Sequence, residues 1–250
     1  MFRNELPRVY ELIDHIEDPN APTAFFQAFN NSICDDPSGG SKLLTWRRRE
    51  EEFQGLDSKS WESLKNEARP YLTTGNPNGR GWEQLIAILN QARAFNFLSN
   101  AGCTDIQFIP RTEGKKTPDL KGKLHCNLVL CEVKTLFQSD DEVRRRGEGR
   151  SGETRNSLDP RFFNKLEGVI NTAKDQMEAF ENGKKARRIV YVIPNFDDRF
   201  GEYKVNYYEE IDQYLGNHPV SGVEIVFHNE QTCFPAQIPM TNATVVNESE

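Results

Sequence analysis

The chain lacks the features that would place it in a membrane or staple it together. No apolar run approaches the roughly 18 residues of a bilayer span, and the opening MFRNELPRVYELIDHIEDP holds no apolar signal region. Both absences predict a cytoplasmic chain with no membrane partner. Cysteine is scarce and unpaired in pattern: there are five, an odd number, and the closest two, Cys126 and Cys131, share a strand-like run rather than a C-x-x-C turn. That excludes a zinc ribbon or a disulfide framework and predicts free thiols. The four histidines, His15, His125, His218 and His228, do not cluster. Excess positive charge is lacking too. Net charge is -7, against a protein that coats nucleic acid along its whole surface.

What is present is a polar globular chain of 250 residues, 36% hydrophobic with mean hydropathy -0.70. That length buries one substantial core with an accessory region. Residues 1–76 read as short helices between loops, closing on the Gly/Pro/Asn-rich TTGNPNGRG. In TWRRREEEFQGL, Arg47 to Arg49 precede three glutamates, as expected of a salt-bridged helix face. From Trp82 the order sharpens. Trp82, Leu85, Ile86, Leu89 and Ala92 recur at helical spacing, with Gly102 placed to stop the helix. AGCTDIQFIP, TPDLKGKL and LVLCEVKTL read as strands, the last two as a hairpin. A second amphipathic helix carries Leu166, Val169, Ile170, Ala173, Met177 and Phe180, followed by the strand RRIVYVIP, the helix NYYEEIDQYLG and the strand GVEIVFH. Helix, three strands, helix, strand, helix, strand predicts an α/β fold with a mixed sheet flanked by helices. The expected domains are an N-terminal helical region over 1–76, an α/β domain over 77–234 and a tail over 235–250.

The chemistry sits on the hairpin. Side chains two apart on a strand share a face, so Glu132 and Lys134 project together beside Leu128 and Leu130. Burying charges unpaired on so apolar a strand is costly, so their presence there is a signal. Asp119, after Pro118 on the preceding strand, can reach the same face. Two carboxylates beside an ammonium suit a hard, oxygen-seeking cation such as Mg²⁺, with the Val133 backbone carbonyl as a third oxygen. The cation would polarise a phosphoryl oxygen and acidify a water, and Lys134 would steady the charge that builds in the transition state.

Pro118-Asp119 followed by Glu132-Val133-Lys134 resembles the PD-(D/E)xK superfamily of restriction and recombination nucleases, over roughly residues 80–228. The stretch RGWEQL…TPDL…LVLCEVKT also looks like a family of bacterial proteins. The resemblance implies a restriction endonuclease-like fold and a nuclease dependent on Mg²⁺, with Mn²⁺ as a substitute. It favours DNA as substrate and allows a homodimer. It also implies roles for Glu83, at the place of an acidic residue on the helix before the first strand, and for Gln176, four residues before Phe180. Residues 144–165 hold seven basic and three acidic side chains, so Arg144, Arg145, Arg146, Arg150, Arg155 and Arg161 are candidate phosphate contacts. Two other readings stand beside the nuclease: a non-catalytic nucleic-acid or protein-binding module on the same fold, and a hydrolase of another phosphate substrate.

Overall fold

The computed structural model describes residues 2–19, 21–35, 40–73, 82–111, 114, 116–137, 156–181, 185–194 and 204–228. It forms two compact units, Met1–Phe97 and Leu98–Gln231. The break falls inside the helix Glu83–Asn100, so the described residues 82–97 cluster with the N-terminal helices. Among the described residues, no helix is long and apolar enough to cross a membrane.

The first unit contains helices α1 (Pro7–Asp14), α2 (Phe29–Cys34), α3 (Ser41–Gln54) and α4 (Ser58–Ala68), a 3-10 turn (Arg69–Tyr71) and most of α5 (Glu83–Asn100). Pro7 starts α1 at a position where its missing N–H costs nothing. The free N–H groups of Arg8 and Val9 instead donate to the Glu50 carboxylate, at 3.1 and 2.9 Å. Charges on α3 thus work between helices as well as along one: Arg49 pairs with Glu52 at 3.0 Å, Glu52 also takes Arg93 of α5, and Arg47 takes Glu5. Tyr10, Phe26, Phe29 and Trp46 pack ring against ring in the core. Residues 88–95 of α5 are all buried, including Asn90, Gln91 and Arg93. The apolar stripe read from sequence underestimates that burial, because the polar positions between its members are enclosed too.

The second unit is an α/β domain with one mixed sheet, ordered β1-β2-β3-β4-β5. Strands β1 (Thr104–Phe108), β2 (Leu120–Leu124) and β3 (Asn127–Leu136) are antiparallel neighbours. Helix α6 (Pro160–Glu181) leads to β4 (Ala186–Pro194), and α7 (Lys204–Asn217) leads to β5 (Glu224–Phe227), each new strand parallel to its predecessor. The element order is the one expected from sequence. Gly102 ends α5 at φ +81, with its N–H on the Ser99 carbonyl and that of Cys103 on Leu98, at 3.0 and 2.9 Å. This is a Schellman ending that spares the last carbonyls.

Alternation decides the faces of β3. Leu128, Leu130 and Leu136 point with Val190 and Val192 of β4 into a core closed by Leu166, Ile170, Ala173 and Met177 of α6 and by Tyr208 and Ile211 of α7. Glu132 and Lys134 lie on that same even-numbered face. Two charged groups are therefore set into the side of the sheet that packs against α6.

Candidate active site

The β2–β3 ladder begins at Leu120↔Cys131. One step beyond, Asp119 and Glu132 stand opposite each other, where side chains of an antiparallel pair share a face. Asp119 is fixed from the other side as well, because its carbonyl accepts the Ile109 N–H at 2.9 Å. The two residues interlock. Glu132 Oε2 accepts the backbone N–H of Asp119 at 3.2 Å, while Asp119 Oδ2 accepts the backbone N–H of Val133 at 2.8 Å. N–H and C=O of one strand residue point to the same edge, so the Val133 carbonyl also faces the β2 side, past the last ladder pair.

Lys134 and Gln176 complete the group. Lys134 Nζ donates to Glu132 Oε1 at 2.7 Å; the lysine side chain is 23% exposed and the glutamate 5%. The lysine side chain is thus more open to solvent than the glutamate it pairs with. From α6, Gln176 Nε2 donates to Glu132 Oε2 at 3.1 Å and also to the Thr117 carbonyl. One amide therefore ties the helix to both strands that carry the acids.

Burial and the negative charge of Glu132 push the Asp119 carboxyl up to about 7, against the pull of the Val133 N–H, Lys134 and Arg111. Burial likewise raises Glu132, opposed by Lys134, by the Asp119 N–H and by Arg111. Two carboxylates brought together out of water hold more negative charge than one lysine neutralises. The donor set, two carboxylates with a carbonyl on the adjoining edge, fits a hard divalent cation. It is a small set: among the described residues, no group of three or more His, Cys, Asp or Glu side chains gathers as a metal site.

Of the residues singled out from sequence, Asp119, Glu132, Lys134, Gln176 and the Val133 backbone come together. Glu83 stands half-buried in the first turn of α5, in the part of that helix that belongs to the first unit. Arg144, Arg145, Arg146, Arg150 and Arg155 lie outside the described residues. Arg161 is exposed in the first turn of α6 and paired with Asp159 at 3.0 Å, so its charge is engaged locally. Sequence reasoning missed Arg111, whose charge acts on both carboxylates, and Thr117, whose carbonyl holds Gln176. A signal for Arg111 existed: it opens the basic turn RTEGKK, immediately after the strand that pairs with Asp119.

Comparison of the chain with protein-family models, curated proteins and solved structures finds no match. The functional reading therefore rests on the residues themselves.

Proposed function

We propose that this chain is a metal-dependent phosphodiesterase of the PD-(D/E)xK type, a nuclease whose preferred substrate is DNA. One observation carries the reading: half-buried Asp119 and buried Glu132, interlocked through each other's backbone, share a face with a partly exposed Lys134. Asp119, Glu132 and the Val133 carbonyl would hold Mg²⁺, or Mn²⁺ in its place. The bound cation would polarise the phosphate and lower the pKa of a water.

The protein's own share of the work follows from contacts already in place. Gln176 holds Glu132 in one orientation, so the acid does not swing away when its charge is neutralised. Lys134 keeps one N–H on Glu132 and presents the rest of its ammonium outward, where charge develops on a phosphoryl oxygen. Asp119, anchored at both backbone and carboxylate, sets the floor of the site.

The same contacts are compatible with a satisfied polar network of no catalytic use, and an activity test separates the two. Purified protein is incubated with single-stranded DNA, duplex DNA and RNA in Mg²⁺, Mn²⁺ or EDTA. Cleavage in either metal, abolished by EDTA and by Asp119→Asn, supports the proposal. No cleavage of any substrate in either metal, or cleavage that Asp119→Asn leaves intact, overturns it.

A further inference from the structure

A second set of polar side chains gathers near the other end of β3. His125, Asn127, Lys185 and Arg187 line an open cavity of about 370 Å³ whose apolar wall is Leu124, Val129 and Ala186. Val129 and Arg187 are register partners on β3 and β4, on the odd-numbered face, away from Glu132. About 16 Å of strand separates Val129 from Lys134. The cavity is therefore distinct from the carboxylate site in position.

Three observations bear on what it would hold. Among the described residues, no carboxylate lines it. Arg187 is locked in place by Glu224, which accepts Nε and Nη2 at 2.7 Å each, leaving Nη1 without a hydrogen-bond partner among the described residues. His125, Asn127 and Lys185 likewise make no side-chain hydrogen bond or ion pair among the described residues. Four donor-bearing groups thus line one open space, three of them exposed to solvent and available to a ligand. The cavity is also kept at a conformational cost. The register Leu124↔Asn127 closes a two-residue turn on His125 and Cys126, at φ +48 and +69. Asn-Gly would fill such a turn with far less strain. Residues held in left-handed geometry concentrate where a side chain must be aimed, and this one sets His125 on the rim.

Lys185 brings a full positive charge, and Arg187, its charge shared with Glu224, still offers Nη1; beside the His125 ring and the Asn127 amide these suit an anion with several oxygens. A phosphomonoester offers three terminal oxygens and close to two negative charges near neutral pH. A volume near the lower bound of ordinary ligand pockets, about 300 Å³, matches a single small molecule. We propose that this cavity binds a phosphomonoester of nucleotide size, its phosphate held by Lys185, Arg187, His125 and Asn127 and its body laid on Leu124, Val129 and Ala186.

The test is a calorimetric titration of the full chain with adenosine 5′-monophosphate in EDTA, which keeps metal away from Asp119 and so keeps this question separate from the nuclease reading. Adenosine and inorganic phosphate are titrated in parallel. The proposal expects saturable binding of the monophosphate and at least tenfold weaker binding of either fragment. Lys185→Glu should weaken binding at least tenfold. His125→Asn, which suits the turn, should weaken it severalfold, and Lys42→Glu, an equal charge change in the N-terminal unit, should leave it unchanged. Absence of binding by wild type overturns the site. So do adenosine binding as tightly as the monophosphate, and equal effects of Lys185→Glu and Lys42→Glu.

Discussion

At the scale of single residues, Lys134 and Asp119 carry different burdens, and their variants should fail differently. Lys134→Ala removes the ammonium beside Glu132 but leaves both carboxylates. Cleavage should fall at least a hundredfold while Mg²⁺ dependence of the residual rate persists, and near wild-type turnover would assign the role elsewhere. Asp119 makes a prediction about pH. In metal-free protein its carboxyl sits at about 7, whereas an unfolded aspartate titrates near about 4. Between those values the folded state holds a proton that the unfolded state has released, so stability falls as pH rises through that window. Thermal unfolding in EDTA should give a higher Tm at pH 5 than at pH 8, and Asp119→Asn should remove most of that drop. A variant with the same drop as wild type would place the titration in other groups. The acids and the lysine were legible in sequence because apolar strand neighbours make a charge conspicuous. Arg111 was not, because a lone arginine in a polar turn looks like solvated surface until its place beside the carboxylates is known.

Elements show the same division between pattern and partner. The amphipathic helix α6 was readable because its stripe obeys the helical period, and Leu166, Ile170, Ala173 and Met177 are fully buried. Ile170→Ala, in the middle of that stripe, should cost about 2–5 kcal/mol in denaturant unfolding. A loss below about 1 kcal/mol would mean the α6–sheet contact is not the main core of the second unit. The β2–β3 hairpin was readable from two strand-like runs, but not its tight turn, because His125-Cys126 carries none of the residues that announce left-handed backbone. Capping by a distant residue left no sequence signal either. Glu50 reads as one of three glutamates pairing with arginines along α3, yet it closes the N-terminus of α1. Glu50→Ala should destabilise the protein by about 1–2 kcal/mol, more than an exposed salt bridge is worth. Unchanged stability would show α1 to be held by its apolar face alone.

Over the whole molecule, the α/β order followed from sequence. Composition marks a boundary at the Gly/Pro/Asn-rich stretch before Trp82, and α5 buries its polar positions along with its apolar ones and clusters with the helices before it. The carboxylate group, by contrast, is assembled entirely within the second unit, from β2, β3 and α6. Whether this group holds a divalent cation, as proposed, is read from calorimetric titration of Mn²⁺ into the chelator-stripped full chain. Wild type should show one saturable site, retained with affinity changed less than about tenfold in Lys134→Ala and lost in Asp119→Asn. Equal Mn²⁺ binding by wild type and Asp119→Asn would contradict the proposal.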